Sequence, residues 1–306
     1  MNQSEVHPLN NSSNEVFVLR QRYIKCLARA AQNKSFGNTT VSNKLHAANP
    51  GDILFIPDQL QSLISSDTSY KATFEPDELL RQTREQSVGH AVQFGRLALE
   101  SDNYIPVQEY VAYKPELSVE QAVREAAVSR FINTENVVGR TYEPLGFYKQ
   151  SDSDVALITR FAGQTETFDK VLWKDSSEVT DEQIEDALSK AAISLAYLHA
   201  GGITHGDAQP KNIAWDTQSN NPWYVDLETA RRHIKDIDRE LFMVEATDDL
   251  QTFMLYQPLM RSKDMFELVA EKYIKSYESQ SNDNSPVNKD MISGIAEMSL
   301  KRLPII

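Results

Sequence analysis

HGDAQPKNIAWDTQSNNPWYVDLETA, residues His205 to Ala230, decides how this 306-residue chain is read. Two strand-like runs, Asn212–Trp215 and Pro222–Val225, flank the stretch DTQSNN, whose side chains favour turns. That pattern predicts an antiparallel hairpin centred between Gln218 and Ser219. Residues equidistant from the centre face each other, and Asn212 lies about six and a half residues before it and Asp226 about seven and a half after it, so the two are expected to come together at the open end. Asp207 lies just outside that end, on the loop leaving the preceding helix. Three oxygen-bearing side chains converge. An amide oxygen beside a carboxylate suits a hard cation such as Mg2+, and a carboxylate left over can take a proton from a hydroxyl.

The stretch before the loop, TDEQIEDALSKAAISLAYLHAGG, predicts a helix. Thr180 and Gln183 have capping-box spacing, and Ile184, Ala187, Leu188, Ala191, Leu195 and Leu198 form an apolar stripe that ends at Gly201. Further upstream the pattern alternates in strand fashion, through VQFGRLALE and YIPVQEYVAYK on either side of Ser101-Asp102-Asn103. Ser118 and Gln121 then cap a second helix, SVEQAVREAAVSRFI, and strand-like runs follow at Leu145–Lys149 and Val155–Phe161. From Asp236 onward the pattern is helical. The result is a strand-rich block followed by a helix-rich block, a two-lobed α+β layout. The domains read as an extension over 1–80, an N-lobe over 81–162 and a C-lobe over 163–306. Within the extension, residues 1–12 read as disordered, Asn14–Ala31 as a basic helix and Ser35–Asp52 as a loop. Asp58–Ser66 and Pro76–Glu85 read as short helices.

HGDAQPKN resembles the H-x-D-x-x-x-x-N catalytic loop of the protein-kinase-like superfamily, and VDLETA resembles its metal-binding D-F-G or D-x-E segment. LAYLHAGGITHGD is similar to the corresponding stretch of aminoglycoside phosphotransferases and related atypical kinases. EYVAYK resembles the β3 strand with its lysine, Lys114, and REAAVSRFI the αC helix, which offers Glu125 as partner; Glu120 lies on the same helix. ITRFAG is similar to the hinge, and ATDDLQTF to the helix whose Asp249 supports the catalytic loop. The resemblance implies a kinase-like fold that binds ATP and Mg2+. In it Asp207 is the base, Asn212 and Asp226 hold the metal, and Lys114, held by Glu125, contacts the phosphates. Departures accompany it. There is no G-x-G-x-x-G, and Gly89 and Gly95 are read either as shaping a phosphate-covering turn or as plain hairpin glycines; Gly206 replaces the Arg of H-R-D, Gln209 stands where relatives carry Lys or His, Leu227-Glu228 replaces Phe-Gly, and no A-P-E follows. These favour a small-molecule or atypical kinase. A pseudokinase scaffold, an atypical protein kinase and an AMP transferase stay open.

Composition narrows the rest. A net charge of −13 argues against wholesale nucleic-acid binding, and no apolar run is long enough to span a membrane. One cysteine, Cys26, and a polar start without an apolar h-region fit a cytoplasmic protein. The preferred acceptor is a small hydroxylated molecule. Glu228 beside Asp226 would draw a cationic one, and a protein partner could dock on the basic residues of 14–31. His199 and His205 are poorly spaced for a metal, and Trp173, Trp215 and Trp223 read as packing aromatics.

Overall fold

A computed structural model describes residues 17–20, 24–26, 39–55, 71–76, 92–101, 104–134, 141–160, 165–168, 180–216, 219–234, 237–255, 263–282 and 285–301. The first half builds one sheet. Its strands are β1 (Phe17–Arg20), β2 (Ile24–Cys26), β3 (Ile53–Phe55), β4 (Lys71–Pro76), β5 (Gln93–Ser101), β6 (Tyr104–Ser118), β7 (Glu143–Lys149) and β8 (Asp154–Arg160). Their spatial order is β1-β4-β5-β6-β8-β7-β3-β2. Two helices accompany them, α1 (Thr39–Ala47) and α2 (Val119–Thr134). Ser118 caps α2 as expected. Its Oγ accepts from the Gln121 amide at 3.2 Å, and its own amide donates to Gln121 Oε1 at 3.0 Å.

The leading segment departs from its sequence reading. Where a basic helix was expected over Asn14–Ala31, the described residues are strands: Phe17–Arg20 pairs antiparallel with β4, and Ile24–Cys26 pairs parallel with β3. The stretch VFVLR is rich in β-branched and aromatic residues, and its helix-like spacing yields to the unsatisfied edges of a sheet. The loop expected over Ser35–Asp52 contains α1. A parallel pair cannot be closed by a tight turn, and α1 lies in the crossover between β2 and β3. Pro76 ends a strand rather than starting a helix, and it sits near an edge of the sheet where its missing N–H is tolerated. The expected helix at Asp58–Ser66, the remainder of Pro76–Glu85, the disordered reading of 1–12, Gly89, the hinge residues 161–163 and Trp173 lie outside the described residues.

The second half is helical: α3 (Asp181–Ala200), α4 (Arg239–Leu255), α5 (Lys263–Gln280) and α6 (Lys289–Lys301). The stripe foreseen for α3 is buried and joins Phe242, Leu250 and Phe253 of α4, Tyr273 and Tyr277 of α5, and Ile292 and Ile295 of α6 in one core. Short strands β9 (Thr165–Thr167), β10 (Ile203–Thr204), β11 (Ile213–Asp216), β12 (Asn221–Tyr224) and β13 (Arg231–Arg232) lie on this body. This is the expected two-lobed α+β fold. Thr180 closes both arms of its capping box with Gln183. Thr180→Ala should therefore lower stability by about 1 kcal/mol, read as a lower urea midpoint at unchanged slope.

Candidate active site

The hairpin forms in the foreseen register. Ile213 faces Tyr224, Asp216 faces Asn221, and the Val225 amide donates to the Asn212 carbonyl at 2.9 Å. The open end of the hairpin therefore holds Asn212 on one side and Asp226 just past Val225 on the other. Trp215 stacks on Phe168 with centroids 5.5 Å apart, and Trp223 meets Tyr142 edge-on, so both pack as read from sequence.

Asp207 is gripped from two sides. Asn212 Nδ2 donates to its Oδ2 at 2.8 Å and to its carbonyl at 2.9 Å, and Gln209 Nε2 donates to Oδ1. Lys211 stands farther off, 4.0 Å from Oδ2. With its nitrogen committed to Asp207, Asn212 has its amide oxygen to offer a cation. The loop is anchored from below by Asp249 on α4. Asp249 accepts from the backbone amides of His205 at 2.6 Å and Gly206 at 2.8 Å, and contacts His199 Nε2 at 3.1 Å. The buttress expected at Asp249 is present. His199 also meets the Tyr273 hydroxyl, and burial holds that hydroxyl well above the usual tyrosine range. His205 Nε2 lies 2.9 Å from the Val225 carbonyl. Both histidines have partners within the fold, as their poor ligand spacing implied.

Gly206 explains the missing Arg of the motif. Its φ is +81°, a region L side chains enter at a cost, and a Cβ there would meet the Thr229 carbonyl at 3.0 Å and Thr229 Oγ1 at 3.0 Å. Thr229 Oγ1 in turn donates to the His205 carbonyl at 3.0 Å. The loop and the segment after Asp226 are thus fitted to each other through a missing side chain. Gly206→Ala should cost about 1–2 kcal/mol from the left-handed backbone alone, with the contact to Thr229 added. Urea unfolding checks this, and a variant as stable as wild type would contradict it.

Lys114, from β6, reaches across to the other lobe. Its Nζ pairs with Glu125 Oε2 at 2.9 Å, with Asp226 Oδ1, and with Glu228 Oε2 at 3.3 Å. Glu125 is the partner on α2; Glu120 instead lies exposed beside His46. Burial alone would strip charge from the lysine, but Glu125 and Asp226 outweigh it and hold the ammonium above its ordinary range. Burial likewise raises the Glu125 carboxyl, against the pull of Lys114. Oxygens of Glu125, Asp226 and Glu228 lie within 4.8 Å of one another. Asp226 has φ +64°, a conformation that Asp tolerates better than most residues and that aims its carboxylate at Lys114. Arg124, next to Glu125, donates to the Glu228 carbonyl at 3.2 Å.

The Glu228 carboxylate, expected from sequence to draw a cationic acceptor, lies 3.3 Å from Lys114 Nζ. The Gln209 grip on Asp207 and the Thr229 contact were not foreseen either. The D-x-E spacing was visible, but not the direction of its second carboxylate. Among the described residues, the carboxylates of Glu125, Asp226 and Glu228 cluster as hard oxygens of the kind Mg2+ takes, and Asn212 keeps its amide oxygen for such a cation.

No family model matches the sequence. Over 101 residues the chain is 28% identical to the probable serine/threonine-protein kinase fhkA of Dictyostelium discoideum, a match covering 33% of this chain and 16% of that protein. The chain therefore spans about a sixth of the length of that curated relative. Among solved structures it is similar to WaaP in complex with acyl carrier protein, at 14% identity and a TM-score of 0.43, over 71% of this chain and 85% of that one. Among the described residues, no helix is long and apolar enough to cross a membrane.

Proposed function

We propose that this protein is an ATP- and Mg2+-dependent phosphotransferase that moves the γ-phosphate of ATP to a hydroxyl of a small molecule. The observation that carries the reading is Lys114, a buried cation from one lobe paired at once with Glu125 and with Asp226 of the other lobe. Around it stand the other groups that phosphoryl transfer needs. Asn212 and Asp226 would hold Mg2+, which when bound neutralises phosphate charge. Lys114 would contact the α- and β-phosphates, with Glu125 fixing its position. Asp207, held in place by two amides, would orient the acceptor hydroxyl and take its proton. The new P–O bond forms on the acceptor oxygen, the bond from the γ-phosphorus to the bridging oxygen breaks, and its electron pair leaves on ADP. No covalent enzyme intermediate is required, so positioning and charge neutralisation suffice.

A small acceptor is favoured by the short run after Asp226. Twelve residues (227–238) separate it from Arg239, where α4 begins, and within them β13 already pairs with β10. That leaves little chain from which to build a platform for an extended protein substrate. The match to a probable serine/threonine kinase agrees with phosphotransfer as the reaction class.

ATP labelled separately at the γ- and α-phosphates, supplied with Mg2+ and a panel of hydroxylated metabolites, tests the reading. γ-Label on a metabolite supports it. α-Label on the product would replace phosphoryl with AMP transfer. γ-Label confined to a protein band would overturn the small acceptor. Nucleotide binding with neither label moving would make the protein a scaffold.

A further inference from the structure

The segment before residue 56 has a place in the fold but no role in the chemistry above. Its described residues form a β-α-β unit, with β2 and β3 parallel and α1 in the crossover. Helix α1 does not lie on bare sheet. Leu45 and Ala48, with Leu54 of β3, pack in one cluster with Val119, Ala122, Val123 and Ala126 of α2. Leu45 and Leu54 are fully buried there.

Those α2 residues define one face of that helix. At helical spacing Glu125 falls off this face, as do Val128 and Ile132, which join the core of the second lobe. So α2 is held between α1 and the sheet on one side, and Lys114 and the helical lobe on the other. The far end of α1 is fixed too. Asn49 donates its amide to Asp52 Oδ2 at 2.9 Å, Gly51 donates to the Lys149 carbonyl at 2.8 Å, and Lys149 returns a bond to the Asp52 carbonyl at 2.9 Å. These bonds tie the turn after α1 to the end of β7, so α1 cannot slide along α2 without breaking them. The rim pair His46–Glu120, 3.3 Å apart and exposed, adds little.

We propose that β2, α1 and β3 form an internal brace, in which Leu45 of α1 is a positioning residue that holds α2 rotated so that Glu125 meets Lys114. The brace deepens the function proposed above, since it would assemble the nucleotide site from within the chain. It can be tested without any nucleotide.

The direct readout is the rate at which the Lys114 amine is acylated by a water-soluble acetyl ester, followed by peptide mass spectrometry well below the unfolding temperature. Leu45→Ala should raise that rate several-fold, and Leu45→Val should raise it less. Leu97→Ala, an equal truncation at a buried β5 residue outside the α2 cluster, should leave it near wild type. In a Glu125→Gln background, Leu45→Ala should add nothing, because its effect travels through Glu125. If Leu45→Ala does not fold by circular dichroism, the comparison of Leu45→Val with Leu97→Val decides. Equal effects of the truncations at 45 and 97, or a Leu45 effect undiminished in the Glu125→Gln background, would overturn the brace. MgATP affinity measured on the same variants should follow the same pattern. A wild-type protein that binds no nucleotide would remove the proposed function, while the acylation rates would still decide the brace.

Discussion

Asp207→Asn is expected to lower turnover by about 10²–10⁴-fold while leaving MgATP affinity within a few-fold of wild type. The substitution keeps shape and removes the proton acceptor. The structure adds a second consequence. Both Asp207 oxygens accept hydrogen bonds from amide nitrogens, Oδ1 from Gln209 and Oδ2 from Asn212. An asparagine offers one acceptor and one donor, so one of those two amides would face an N–H in place of an oxygen. Losing one such bond costs about 1–3 kcal/mol when the group is left unsatisfied. A modest drop in unfolding midpoint should therefore accompany the loss of turnover. Single-turnover kinetics with γ-labelled ATP separates the two effects. Turnover near that of wild type would remove Asp207 from the role of base.

The second large effect is expected at Asp226. Asp226→Asn should abolish the part of ATP-induced thermal stabilisation that depends on Mg2+. Asparagine is the informative substitution because residue 226 has φ +64°, where alanine would add about 1–2 kcal/mol of backbone strain unrelated to metal. Lys114 would keep its pairs with Glu125 and Glu228, so the lobes should remain joined. The measurement is a melting curve with ATP, with and without Mg2+. A Mg2+-dependent shift that survives in the variant would end the assignment of Asp226 as a ligand.

The parts legible in the sequence were those whose geometry is local. The hairpin could be registered because a short polar turn fixes which residues face each other, and Ile213 opposite Tyr224 is the pairing that follows. Both capping boxes could be read because Ser118–Gln121 and Thr180–Gln183 act within one turn of helix. Asp249 was found through its motif and sits where that motif implied. The choice between Glu120 and Glu125 required the direction of α2, one face of which packs against α1 and the sheet. That packing was hidden. The α1 sequence TTVSNKLHA opens with residues of weak helix propensity, and its stability comes from Leu45 and Ala48 against another helix. The strands β1 and β2 were missed for a related reason: each is three or four residues long and finds its partner some thirty to fifty-five residues away.

The order of strands in the large sheet has a consequence for its shape. β1 and β2 are its two outermost strands, yet Arg20 and Ile24 are joined by only three intervening residues. Eight strands laid flat at the usual spacing would put the outer pair about 33 Å apart, whereas four peptide units reach about 14 Å at most. The sheet must therefore roll until its borders nearly meet, with β1 and β2 forming the lips of a gapped cylinder. A short N-terminal ribbon thus finishes both margins of the same surface, and removing it would lay bare β4 on one side and β3 on the other in a single cut.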